Sequence, residues 1–245
     1  MGRGERAPGG AGRVSGPRHF ERGDCELAGV SRRPAHQPRG NAACRGADCR
    51  QSQRVSADLE AAYGDVEATA RALVEAGAVG LNFEDGTGDP AHPLADPAEQ
   101  CERIRRIRAT GENLGVHIVI NARTDVYLDH VGEPATRFEH TVERLNAYRQ
   151  AGADCLFAPG VQDGETIGRL VKGLKGPLNV LAGPATPPVR ELERLGVARL
   201  SFGSWPARST WGLFQRLTRE LREKGTFTTL AEGAIPYAEI NKLVE

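Results

Sequence analysis

Val79-Gly-Leu-Asn-Phe-Glu-Asp-Gly86 reads as an apolar strand that runs directly into two carboxylates and a glycine. Upstream, Val55-Ser-Ala-Asp-Leu-Glu60 follows the same plan, and downstream so does Ile118-Val-Ile-Asn-Ala-Arg-Thr-Asp125. Three more apolar runs further along also end in polar clusters. Charge at the C-terminal ends of consecutive parallel strands is where barrel and open α/β folds keep their chemistry. The pattern points to a small-anion, metal-assisted enzyme site.

Between these runs the periodicity turns helical. Helices are expected near Asp65–Ala76, Pro97–Thr110, Ala135–Ala151, Gly164–Leu174, Pro187–Leu195 and Ala207–Lys224, with apolar positions at helical spacing such as Ala70, Leu73 and Val74, or Val142, Leu145 and Tyr148. Strands are expected near residues 55–58, 79–83, 117–122, 155–158, 178–182 and 199–202. Ala-Gly-Ala precedes two of the strands, at 76–78 and 151–153, and Leu195-Gly-Val fills the same place before a third, the glycine serving as helix C-cap. Six βα units result. A closed (β/α)8 TIM-type barrel needs eight, so the expected fold is an incomplete barrel lacking its first two units, with an open six-stranded sheet as the alternative by counting alone. No glycine-rich phosphate loop follows the first strand.

The chain has 245 residues and no formal net charge, but its two parts differ. Residues 1–54 hold eleven Arg, no Lys and five acids, and their large apolar residues are Met1, Val14, Phe20, Leu27 and Val30 alone. Such a segment buries too little surface to offset its chain entropy. It is expected to be disordered, or to be a frame-shifted or misassigned start, with residues 55–245 forming the barrel domain. An arginine-rich arm could neutralise nucleic-acid phosphates, yet no aromatics interleave with these arginines, so nucleic acid is not the expected partner. No apolar run approaches membrane-spanning length and no secretory signal stands at the start, so a soluble, cytoplasmic protein without a membrane partner is expected. Five cysteines without metal-ligand spacing read as unpaired thiols.

The segments Ser56–Gly64, Gly80–Gly86 and Asn121–Asp125 resemble the isocitrate lyase and phosphoenolpyruvate mutase superfamily, and Asn179–Pro184 and Arg199–Ser204 are similar to its later strands. The resemblance runs in order and spacing over residues 55–245. It implies a Mg²⁺-dependent (β/α)8 enzyme, with Mn²⁺ as a substitute ion, that makes or breaks a C–C or P–C bond beside a carboxylate in a small oxo- or hydroxy-acid. By that resemblance Asp58 is the direct metal ligand, and Glu60 and Glu84 hold the metal's waters. Arg123 clamps a substrate carboxylate, Asn179 adds a substrate contact, and Glu84, Asp85 and Arg123 form the catalytic set. Mg²⁺ favours hard oxygen ligands and few protein carboxylates, and arginine's planar fork suits a carboxylate.

Each of these residues also has a plainer reading. Asp65 is expected to cap its helix. Asp85 reads equally as a supporting acceptor or a turn residue, and Arg123 can pair with Asp125 instead of a ligand. The loop Gly86–Pro97 lacks the Lys-Arg-Cys-Gly-His lid that the resemblance associates with isocitrate and methylisocitrate lyases; Cys101 beyond it is expected to be buried, and His92 within it to face solvent. Without two strands the edges near 55–58 and 199–202 are expected to stay unpaired, leaving the chain unstable or inactive. A catalytically dead barrel and a nucleic-acid binder using the basic arm remain the alternative functions. A homo-oligomer packed through the Ala207–Lys224 helix is implied by the resemblance.

Overall fold

The structure, a computed structural model, describes residues 55–242, so the expectations for residues 1–54 lie outside the described residues. Strands and helices alternate: β1 (Ser56–Asp58), α1 (Val66–Glu75), β2 (Gly80–Glu84), α2 (Pro97–Asn113), β3 (Val119–Arg123), α3 (Arg137–Gln150), β4 (Cys155–Phe157), α4 (Gly164–Gly173), β5 (Leu178–Leu181), α5 (Val189–Leu195), β6 (Arg199–Ser201), α6 (Trp205–Lys224) and α7 (Tyr237–Lys242). The helix starts follow local chemistry. Asp65 accepts from the amides of Glu67 and Ala68, Asp96 from those of Ala98 and Glu99 with Pro97 in the first turn, and Asp163 from that of Thr166. Each side chain satisfies amides that have no partner within the helix. The recurrent glycines 77, 152 and 196 all take positive φ where their helices end, as a left-handed C-terminal turn requires.

All six strands pair in parallel, in the order β1-β2-β3-β4-β5-β6. A doubly wound open sheet reverses its strand order at a switch point; sequential order with right-handed crossovers puts every helix on one face, as in a barrel. The fold is therefore an incomplete TIM-type barrel, six strands among the described residues, and the open-sheet alternative falls. The hydrophobic core lies between sheet and helices. Leu81, Phe83, Ile120, Ala122, Leu156 and Val180 of the sheet meet Ala70, Leu73, Ile104, Ile107, Leu145, Ile167 and Leu170 of the helices, all buried. Edges β1 and β6 have no further strand beside them among the described residues.

Element limits differ from the sequence reading in a few places. β3 begins at Val119, whose amide donates to Val79 O, and it takes in Arg123, while His117 stands before the ladder and turns to Asp154. α3 begins at Arg137 because Pro134–Thr136 forms a tight 3-10 turn ahead of it. α2 runs on to Asn113, and a 3-10 turn at Thr228–Ala231 and helix α7 follow Gly225. The 3-10 turn is tied down by Glu220, which accepts from Thr226 Oγ1, Thr228 N and Oγ1, and Thr229 N.

Candidate active site

The inner face of a TIM barrel is ordinarily filled with branched apolar side chains. Here it is polar. Strand register places Asp58, Asn82, Asn121 and Cys155 in one row, and Glu84, Arg123, Phe157, Asn179 and Arg199 in the next. Alternation sends their neighbours Leu81, Phe83, Ile120, Ala122 and Leu156 out to the helices, so the polar set shares the inner surface. Asn121 donates to Asn82 Oδ1 at 2.8 Å, and its own buried Oδ1 has no hydrogen-bond partner. Asn179, wholly buried, lies against Ser201 Oγ and Arg199, whose Nη1 its amide oxygen can accept at 3.2 Å.

At the C-terminal ends of β2 and β3 four charged residues close a ring. Arg123 Nη1 meets Glu84 Oε2 at 2.8 Å, and its Nε and Nη2 grip Asp125 Oδ1 and Oδ2 at 2.6 and 3.0 Å. Asp125 N in turn donates to Asp85 Oδ1 at 3.0 Å, and Asp85 follows Glu84 in the chain. Burial opposes the charge on Arg123, but the carboxylates of Asp125, Glu84 and Asp58 more than offset it and hold the guanidinium above its ordinary value. The arginine is thus kept charged with its ring of acids around it, and Phe157 lies 5.9 Å from its centre.

Asp85 proves to be a buried acceptor and not a turn residue. It is fully buried, and Oδ2 receives Thr124 Oγ1 at 2.7 Å, Tyr148 OH at 2.7 Å and Arg144 Nη1 at 2.9 Å. Arg144 and Tyr148 escaped the sequence reading, in which Tyr148 stood only as an apolar helix position. Their spacing on one face of α3 was visible, but a partner 59 residues upstream was not.

The turn after β1 carries strain. Glu60 and Ala62 have φ of 49° and 67°, a region that non-glycine residues occupy at a cost of about 1–3 kcal/mol. Its reward is pairing beyond Asp58: Leu59 N donates to Asn82 O and Glu84 N to Glu60 O, at 3.2 and 2.9 Å. Glu60 is thereby set beside Glu84, and Asp58 one row behind. Among the described residues no three acids, histidines or cysteines are gathered into a ready cation cage. A magnesium site held by one or two carboxylates, waters and substrate needs no such cage. Hard carboxylate oxygens from two adjacent strand ends, with the unpartnered Asn121 Oδ1 in the same inner row as Asp58, suit that ion.

The loop from Gly86 to Asp96, which follows β2, folds as a small hairpin. Gly86 bridges Leu94, Thr87 N donates to Pro93 O at 3.0 Å, and Ala95 N donates to Asp85 O at 2.8 Å. His92 is exposed at its tip, 3.3 Å from Asp89, and Cys101 is buried with its thiol pushed up by burial.

The phosphoenolpyruvate phosphomutase family model matches residues 43–222. The chain belongs to that family, within the phosphoenolpyruvate mutase and isocitrate lyase superfamily. An uncharacterised protein of Mycobacterium tuberculosis is 32% identical over 186 residues, covering 73% of this chain and 67% of the relative. The 2-methylisocitrate lyase of Aeropyrum pernix is 29% identical over 203 residues, 78% of this chain and 63% of that one. Among solved structures of the family, a candidate lyase/mutase from Burkholderia cenocepacia superposes with a TM-score of 0.70 at 36% identity, covering 78% of this chain and 69% of its own.

Proposed function

We infer that the chain is a Mg²⁺-dependent lyase or mutase that makes or breaks a C–C or P–C bond beside the carboxylate of a small oxo- or hydroxy-acid. The observation that carries this reading is the polar inner row, in which Glu84 and Arg123 end their strands and share one register with Asn179, with Asp58 one row behind. Asp58 would hold Mg²⁺, or Mn²⁺ in its place, with Glu60 and Glu84 on its waters. Such an ion would supply Lewis-acid chemistry to a substrate oxygen that gains negative charge. Arg123, whose Nε–Nη2 fork is held by Asp125 and one Nη1 hydrogen by Glu84, binds the substrate carboxylate through the remaining Nη1 and Nη2 hydrogens and so fixes its position. Asn179 orients the substrate's second oxygen from across the row. A 2-methylisocitrate lyase among the relatives favours C–C cleavage, and the family model favours P–C chemistry. The chain is expected to work as a homo-oligomer through α6, whose Trp211, Phe214 and Leu221 are exposed.

The test uses purified full-length protein with Mg²⁺ on oxaloacetate, 2-methylisocitrate, 2,3-dimethylmalate and phosphonopyruvate, following product by ³¹P and ¹H NMR. At least one is expected to turn over, with activity lost on chelation and in Asp58→Ala. Turnover unchanged in Asp58→Ala, or no turnover together with no Mn²⁺ binding by calorimetry, would overturn the reading in favour of a dead barrel.

A further inference from the structure

One side chain touches both the site and the 86–96 hairpin. Arg144 is buried on α3, and its Nη1 donates to Asp85 Oδ2 at 2.9 Å and to Ala95 O at 3.0 Å. Its Nε donates to His140 Nε2 at 2.9 Å, and the Tyr148 hydroxyl lies 3.0 Å from Nη1. Ala95 is the last residue before the helix cap Asp96, and its amide returns to Asp85 O. The end of the hairpin is therefore fastened twice to Asp85, once by backbone and once through Arg144. Asp85 is also the residue whose Oδ1 holds Asp125 N, and Asp125 holds Arg123.

A buried ion pair is a weak source of stability, because desolvating both charges cancels most of their attraction and an apolar pair of the same volume does as well or better. The Arg144–Asp85 pair has side chains 8% and 0% exposed. Stability alone thus gives a poor account of it. What an apolar pair could not do is bond the Ala95 carbonyl and the site carboxylate with one nitrogen. We propose that Arg144 is a positioning residue of the reaction, coupling the setting of the 86–96 hairpin to the Asp85–Asp125–Arg123 ring, so that the base of the hairpin and the aim of Arg123 are fixed together. The proposal rests on the functional reading above.

The experiment compares wild type, Arg144→Lys and Arg144→Gln by amide hydrogen exchange and by calorimetric titration with oxalate in the presence of Mn²⁺. In Arg144→Gln the amides of 87–95 are expected to exchange at least tenfold faster beyond any loss of protection shared with the core amides of Leu156 and Val180, and oxalate to bind at least tenfold more weakly. Arg144→Lys keeps the charge but cannot serve His140, Asp85 and Ala95 together, and falls between; it carries the test should Arg144→Gln not fold. Tyr148→Phe removes one donor from Asp85 and spares the Ala95 bond, so its hairpin should stay protected. Hairpin exchange that rises only in step with the core amides, or oxalate affinity unmoved when the hairpin loosens, would overturn the proposal. Wild-type protein that binds no oxalate with Mn²⁺ would instead overturn the functional reading, and the coupling with it.

Discussion

Arg123 has two duties that pull in different directions. Its side chain is 14% exposed, against 4% for Glu84 and 0% for Asp125, so it is the counter-charge that makes two buried carboxylates tolerable as well as the expected clamp for a ligand. Removing one partner of a buried ionic network leaves uncompensated charge, typically at a cost of about 3–5 kcal/mol. Arg123→Gln is therefore expected to lose stability on that scale in urea titration, not merely activity. Arg123→Lys should lose less, because an ammonium still neutralises Glu84, yet it cannot grip Asp125 through two nitrogens. Equal urea midpoints for wild type and Arg123→Gln would show that the ring is not a structural unit. The sequence made Arg123, Glu84 and Asp58 legible because they stand at strand ends, where a change from apolar to charged is a local signal. It left Arg144 and Tyr148 illegible because a helix face that buries a guanidinium or a phenol looks like one that buries only carbon. Tyr148 shows the point: its ring belongs to the core, and only its hydroxyl, set against Asp85, belongs to the site.

The elements were readable for a similar reason. Local punctuation marks many of the βα units, an aspartate before α1, α2 and α4 and a positive-φ glycine after α1, α3 and α5, so limits fell within a few residues wherever the cap is local. They drifted where the boundary depends on a distant partner, as at His117, which is drawn out of the strand by Asp154. Asp154 fastens three elements at the opposite end of the sheet from the site. Its Oδ2 accepts from Ile120 N at 2.8 Å and pairs with Arg108 of α2 at 2.5 Å, and Oδ1 meets His117 at 2.9 Å. Burial alone would raise this carboxyl, but the Ile120 amide, Arg108 and His117 outweigh it and hold the folded value below the ordinary one. The unfolded chain then takes up the proton more readily than the folded one. Asp154 thus contributes stability in full above about pH 4, and that contribution is lost as pH falls through its lower folded value. Asp154→Asn should be less stable than wild type at pH 7 and approach it as both are titrated to about pH 3. A gap between the two urea midpoints that stays constant over that range would refute the assignment.

At the scale of the molecule two surfaces invite association, and they make different predictions. The edges β1 and β6 offer unpaired backbone groups among the described residues, a template for open-ended strand addition. The exposed face of α6 offers instead Trp211, Phe214 and Leu221, at 64%, 54% and 60% exposure, with the first two rings in an edge contact of 5.8 Å. Apolar residues clustered this way on one helix mark an interface more often than chance exposure. A self-complementary helix face closes into a discrete particle, whereas edge pairing propagates. If α6 governs association, sedimentation velocity should give one oligomer whose size does not grow with concentration, and the double variant Trp211→Ser, Phe214→Ser should shift it to monomer with its helical circular dichroism intact. If the edges govern, the same variant should leave the sedimentation profile broad and concentration-dependent, and a helix interface would be ruled out. The first outcome is expected, because six parallel strands wrapped by helices leave edges only three residues long, too short to compete with a twenty-residue helix that buries aromatic surface.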